Sequence, residues 1–163
     1  MTKMSRISKD EYYLNIAEAV VARGTCLRRN FGSVIVKDDQ IISTGYVGSP
    51  RGVENCCDKG TCLRQDQNIP RGERYELCLR IHSECNAIIH ASREQMLGST
   101  LYLVGIEKST GKFVENTQPC AMCKRMIVNA GISKVVVRDG LDLRTVDVES
   151  FLRDESIKGT CGY

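Results

Sequence analysis

The chain has 163 residues, enough to bury one real core but cramped for two. Apolar residues make up 42% of it and no apolar run approaches membrane-spanning length, so an ordinary soluble fold is expected and a membrane partner is not. A net charge of +3 is too mild to argue for a nucleic-acid partner. Nine cysteines are the unusual count. Residues 1–6 show no signal-peptide apolar core, so a reducing, cytoplasmic setting is expected, where metal binding or catalysis outranks disulfides.

Ser8-Lys9-Asp10-Glu11 is a capping box. Behind it Tyr12, Leu14, Ile16, Ala17, Val20 and Val21 form a broad apolar face, which predicts a helix over 9–22 stopped by Gly24. Residues 32–37 and 40–46 read as strands around a turn, a hairpin. Arg28 and Arg29, just before it, read either as a solvated loop or as a phosphate clamp, for which a planar cation fork is suited.

Residues 53–76 show no clear periodicity and carry Cys56, Cys57 and Cys62, with Cys78 just beyond. So long a loop calls for a functional or binding explanation. With Cys26, the residues Cys56, Cys62 and Cys78 form a candidate cage for a second, structural zinc, Cys57 being the substitute for Cys56. Reduced, half-buried thiols are the competing reading.

The next segment, 82–94, reads as a helix with Glu84, Ala87, Ile88 and Ala91 on one face. Residues 99–106 are a strand, and 112–114 a short return after a turn at 109–111. A helix over 120–130, stopped by Gly131, carries Cys123, Met126, Ile127 and Ala130 on one face. Then come a buried strand at 134–137, a last short helix near 148–155, and a frayed tail at 159–163. Helices alternating with strands behind a hairpin predict a single domain over 1–163, built on a mixed sheet with helices on both faces.

Two stretches read as one site: His82-Ser83-Glu84 and, later, Pro119-Cys120-Ala121-Met122-Cys123. Zinc takes imidazole nitrogen and thiolate sulfur, and a catalytic zinc keeps one position open for water. His82, Cys120 and Cys123 supply three ligands; Glu84, two residues past a ligand at a helix start, is placed to move the proton of that water. Pro119 suits the first helical position, which puts both cysteines at a helix N-terminus that favours thiolate. Either motif alone is weak, but in this order, each opening a predicted helix, they are specific. The competing reading is a structural Cys/His zinc knot with Glu84 merely exposed. Asn86, one turn past His82, is a candidate substrate contact. His90 reads as a surface or satisfied histidine, and Arg93 as the cation that ends the helix.

On these residues the chain resembles the zinc nucleobase deaminases, and within them the cytidine/deoxycytidylate deaminase superfamily. The likeness covers residues 8–138 and leaves 139–163 as an extension. It runs through Gly32-Ser33-Val34-Ile35-Val36, the stretch 43–52, Asn55-Cys56-Cys57-Asp58, the stretch 82–87, and Pro119 to Cys123. It implies a three-layer α/β/α sandwich, the cytidine deaminase-like fold, with homo-oligomerisation. It further implies catalytic Zn2+ on His82, Cys120 and Cys123, and Glu84 as general acid/base for water attack at C4 of cytosine. Deoxycytidylate deaminases are the nearest group, which implies conversion of a small pyrimidine nucleotide, dCMP, to dUMP and ammonia. The carbonyl of Gln118 then faces the leaving amino group, and Arg28 or Arg29 the 5′-phosphate. Some members of that group carry a second zinc drawn from the region matching Cys26 and Asn55-Cys56-Cys57.

Three departures stand out. Val47 occupies the place of an asparagine that contacts the sugar, and an apolar side chain cannot make that hydrogen bond. Ser83 and Cys85 replace commoner neighbours of Glu84, without consequence if they point away from substrate. The connection from Leu103 to Pro119 is longer than the family's short turn. Two alternatives stay open. One is the same chemistry on a nucleoside, a free base or tRNA adenosine, the last disfavoured by 6% aromatic residues and no Trp. The other is a non-catalytic zinc-stabilised binding module, against which an intact Glu84 argues.

Overall fold

The structure, a computed structural model, describes residues 5–70 and 72–158. The tail expected at 159–163, with Cys161, lies outside the described residues. Ser8 caps helix α1 (Lys9–Val21), its side chain accepting from the Glu11 N–H at 3.1 Å. Strands β1 (Arg29–Lys37) and β2 (Gln40–Tyr46) form the expected hairpin. Asp38 and Asp39 turn it with φ of 50° and 62°, the left-handed pair that a tight two-residue turn demands. The aperiodic segment holds three single turns: α2 (Cys56–Lys59), α3 (Leu63–Asp66) and a 3-10 turn (Tyr75–Leu77).

Where one helix is expected over 82–94, two short ones occur, α4 (Ser83–Ile89) and α5 (Arg93–Met96). Ser92 is the reason. It forms a capping box with Gln95, so Arg93 opens a helix instead of ending one. Strand β3 (Thr100–Glu107) follows, with Phe113 returning to bridge Ile106. Helix α6 (Ala121–Ala130) ends on Gly131 at φ 79°, and strand β4 (Lys134–Asp139) comes next. A further strand, β5 (Asp142–Asp147), has no counterpart in the sequence reading, because five of its six residues are exposed and leave no alternation to read. A 3-10 helix (Val148–Arg153) and α7 (Glu155–Lys158) close the described chain.

The strands order β2-β1-β3-β4-β5, antiparallel except for the parallel pair β3–β4, which α6 joins by crossing over the sheet. This is the expected mixed sheet in three layers. Alternate residues of the central strands feed two separate cores. Val34, Val36, Tyr102, Val104 and Val136 pack under α1. Ile35, Leu101, Leu103, Val135 and Val137 pack under α4 and α6. Tyr13 at 4% exposure, not Tyr12 at 50%, completes the face of α1. Phe151 enters the second core, so the segment beyond β5 belongs to the fold.

Gly45 fixes how α4 lies on the sheet. A Cβ there would strike the Ser83 carbonyl oxygen and the Ala87 nitrogen, so the helix backbone rests directly on β2. No helix among the described residues is long and apolar enough to cross a membrane.

Candidate active site

Helices α4 and α6 lie side by side on one face of the sheet, and each begins on a ligand-type residue. His82 is the N-cap of α4 and Cys120 the N-cap of α6; neither side chain caps its own helix, so both remain available. Pro119 therefore stands before the cap and not at the first helical position, a correction of two residues. Cys123 sits in the first turn of α6 and is fully buried. His82 Nδ1 lies 3.4 Å from both Cys120 Sγ and Cys123 Sγ. Among the described residues these three form the only group of His, Cys, Asp or Glu ligand atoms that all lie within 4.8 Å of one another.

A tetrahedral zinc with ordinary bond lengths holds its nitrogen and sulfur ligands about 3.6 Å apart, so the group has zinc dimensions. The sulfurs give a second test. Hydrogen bonding with Cys123 and His82 draws Cys120 down to about 4, while the neighbouring sulfurs of Cys120 and Cys85 push Cys123 up. Two sulfurs this close do not both ionise without a cation to join them.

Glu84 lies in the first turn of α4, 5% exposed, on the wall of the same cleft. Burial lifts its carboxyl above the ordinary carboxylate range, with His82 pulling the other way. The Ser83 hydroxyl donates to Glu84 Oε2 at 3.0 Å and lies 2.8 Å from Ser33 Oγ. Ser83 thus faces the cleft, although its place between His82 and Glu84 was the only hint of it. A carboxyl held beside a zinc-sized ligand group is equipped to shuttle a water proton.

The cleft measures about 170 Å³. Arg28, Arg29 and Gln118 all line it, as the sequence reading expects. Arg29 pairs with Glu107 at 2.5 Å, and Lys108 N–H donates to the Arg28 carbonyl at 2.8 Å, so the long connection after Leu103 folds back beside the arginines. The Gln118 side chain accepts from Lys124 Nζ at 3.2 Å; that buried ammonium also meets Asp154 at 2.6 Å.

Asn86 is not brought into the cleft lining. Two residues on from Glu84, it sits about 200° around the helix, and its Nδ2 donates to the Tyr46 carbonyl at 2.8 Å. It is a strut between α4 and β2. His90 is exposed and satisfied, bonded to Arg51 and to the Thr44 carbonyl. Val47 lines the cleft as an apolar, fully buried wall.

Three wall residues had no signal in the sequence reading: Arg64, Tyr75 and Arg80. Arg64 is 3% exposed and donates to the carbonyls of Pro70, Glu73 and Arg74, with its guanidinium 5.2 Å from the Tyr75 ring centre. Tyr75 in turn meets the His82 ring edge-on at 5.6 Å. An aperiodic loop is thereby built around one buried cation, which propensity alone does not reveal.

The cysteines expected to cage a second zinc gather around Arg80. Cys26, Cys62 and Cys78 all act electrostatically on both Arg80 and Cys56. Among the described residues their sulfurs do not close to within 4.8 Å as a group of three, and Arg80 Nη1 donates to Cys26 Sγ at 2.7 Å. Cys57 is exposed, with its Sγ 3.7 Å from Asp58 Oδ1.

The family model for the cytidine and deoxycytidylate deaminase zinc-binding region matches residues 7–139. A deoxycytidylate deaminase of Mycobacterium phage D29 is 36% identical over 138 residues, covering 82% of this chain and 96% of its own length. That of Saccharomyces cerevisiae is 34% identical over 152 residues; the match covers 93% of this chain but 43% of the yeast protein. Among solved structures, the dCMP deaminase of cyanophage S-TIM5 in complex with dCMP and dUMP superposes with a TM-score of 0.57 at 25% identity, covering 82% of this chain and 85% of that one. Cytidine deaminase from Burkholderia pseudomallei shares the fold, with a TM-score of 0.58 at 15% identity, covering 91% and 98%. The family match runs from before α1 to the end of β4 and takes in both helices that carry the ligand group. The chain belongs to the cytidine and deoxycytidylate deaminase zinc-binding family.

Proposed function

We propose that this protein is a zinc-dependent hydrolase that converts dCMP and water to dUMP and ammonia. The observation that carries the reading is the meeting of His82, Cys120 and Cys123 with buried Glu84 in a cleft whose rim is cationic. His82 Nδ1 and the two sulfurs are the groups that would hold zinc. When bound there, zinc supplies a Lewis acid that acidifies water near neutral pH. Glu84 takes a proton from the attacking water and passes it to the ring nitrogen, then takes the second proton from the hydroxyl now on the ring carbon and delivers it to the amino group, which leaves as ammonia. Ser83 orients that carboxyl. The Gln118 carbonyl receives the leaving amino group, and Arg28 and Arg29 favour a phosphorylated substrate. Val47, Phe31 and Tyr75 make the remaining wall largely apolar, which suits a deoxyribose.

The test is a panel on metal-quantified protein: dCMP, CMP, deoxycytidine, cytidine, cytosine and an adenosine-bearing RNA, followed by ammonia release. Preference for dCMP is the expected result. Zinc-loaded protein that turns over no pyrimidine overturns the reading.

A second, structural zinc on Cys26, Cys56, Cys62 and Cys78 is supported by the gathering of these thiols about one residue, and requires the 55–78 segment to close further on Cys26. A zinc content near two per chain is its expected outcome; one per chain removes it. The eight described cysteines are all free thiols, which suits a reducing cytoplasm. Exposed Ile89 and Leu97 on α4 and just after α5 offer an apolar surface to a second copy, and sedimentation is the check on homo-oligomerisation.

A further inference from the structure

Residues 116–118 lead into Pro119 and Cys120, and the chain from the end of β4 onward holds all three. Asp139 Oδ1 accepts from the Asn116 N–H at 2.6 Å, where the backbone turns left-handed with φ 54°. Arg144 Nη2, on β5, donates to the Thr117 carbonyl at 2.7 Å, and Arg144 Nε lies 3.5 Å from Asp139 Oδ2. Lys124 Nζ, on α6, donates to Gln118 Oε1 at 3.2 Å and to Asp154 Oδ2 at 2.6 Å.

These bonds fix a direction. A residue has two soft backbone dihedrals, and Gln118 precedes Pro119, which confines it to extended conformations. With the Thr117 carbonyl taken by Arg144, the peptide entering Gln118 is oriented, and the carbonyl leaving it is aimed as a result. The Gln118 side chain needs its own anchor. It lines both the cleft and a second cavity of about 340 Å³, so close packing does not hold it. Lys124 does so instead. The side chain of that lysine is 8% exposed, a position too costly for a lone ammonium, and Asp154 supplies the opposite charge.

We propose that Arg144 and the Lys124–Asp154 pair are positioning residues for the reaction: they clamp residues 116–118 so that the Gln118 carbonyl faces the amino group to be removed. The inference rests on the dCMP reading above and deepens it, since it names what aims the acceptor that tells an amino group from an oxo group. Arg144 and Asp154 lie beyond residues 7–139, so the aim is set by a part of the chain outside the family match. The segment after β4 thereby gains a task at the cleft, although it contributes neither a candidate metal ligand nor Glu84.

The experiment measures calorimetric binding of dCMP and dUMP to zinc-loaded Glu84→Gln protein, alone and with Arg144→Met, Arg144→Lys or Lys124→Met added. The two nucleotides share sugar and phosphate and differ at the 4-position and in the proton on the neighbouring ring nitrogen. An amino group donates to a carbonyl, whereas an oxo group meets it oxygen to oxygen, so the parent protein is expected to prefer dCMP. That preference is expected to fall about 3–10-fold in Arg144→Met and in Lys124→Met, as for loss of one hydrogen bond. Arg144→Lys keeps a donor and is expected to retain part of it. Arg144 is half-exposed on an edge strand, so Arg144→Met decides the matter even where Lys124→Met does not fold. An unchanged preference in Arg144→Met overturns the proposal, as does equal weakening of both nucleotides, which makes the clamp a feature of the fold only. Equal binding of the two by the parent protein overturns it as well. A parent protein that binds neither nucleotide overturns the dCMP reading itself, so the two failures are distinguishable.

Discussion

Ser83 Oγ donates to Glu84 Oε2 at 3.0 Å while lying 2.8 Å from Ser33 Oγ on β1. Three buried polar groups thus form a short chain running from the sheet to the Glu84 carboxyl, the group proposed above to move the proton. Ser83→Ala removes the link without adding bulk. Turnover is expected to fall about ten-fold, in line with the loss of one hydrogen bond to a charged group. Zinc content stays at the wild-type level, because no ligand is touched. Steady-state ammonia release and metal analysis on one preparation check both halves.

Glu84→Gln keeps the shape of the side chain and removes its proton chemistry. Turnover is expected to drop by roughly 10²–10⁴-fold with zinc retained. Normal turnover in this variant would show that another group carries the proton.

Lys124 is buried between the Gln118 side chain and Asp154, 5.3 Å from the centre of the Phe151 ring. Hydrogen bonding to Lys124 and to Ser156 holds the Asp154 carboxyl well below the usual carboxylate range. A depressed carboxyl adds stability that is present above its unfolded value, about 3.9, and is lost as pH falls through the folded one. Asp154→Asn is therefore expected to lower stability at pH 7 and to flatten the loss seen on acidification below about pH 4. Urea unfolding at pH 7 and pH 3 on both proteins measures it; parallel pH profiles would rule the contribution out.

Gly45→Ala forces a methyl group into the backbone of α4. The expected cost is about 1–3 kcal/mol, typical of overpacking. Because α4 carries both His82 and Glu84 at its start, zinc affinity is expected to fall with it. Thermal unfolding and competition with a chromophoric chelator report the two effects separately.

The ligand group and Glu84 were legible in the sequence because their chemistry ties residue type to spacing: a histidine two residues before a carboxylate, two cysteines one helical turn apart. Strands β1, β3 and β4 were legible because burial on both faces leaves runs such as Val34-Ile35-Val36 and Val135-Val136-Val137. Strand β5 carries no such pattern, since it lies at the sheet's exposed edge. The break between α4 and α5 was written in Ser92 and Gln95, but the apolar spacing through Ala91 masked it. Arg64, Tyr75 and Arg80 were silent for a different reason. Their roles depend on what the fold sets opposite them, a ring of carbonyls, an imidazole edge and a thiol, and no local pattern announces a partner distant in sequence.

The chemical and the selective parts of this cleft come from different kinds of chain. His82, Glu84, Cys120 and Cys123 are seated at the starts of two helices braced against the sheet, whereas Arg28, Arg64, Tyr75 and Arg80 belong to connecting segments. Connections tolerate insertion and exchange where helix starts braced on a core do not. A transplant of the segment between β2 and α4 from a relative of different preference would exchange Arg64, Tyr75 and Arg80 while leaving Arg28 and the residues at the two helix starts in place.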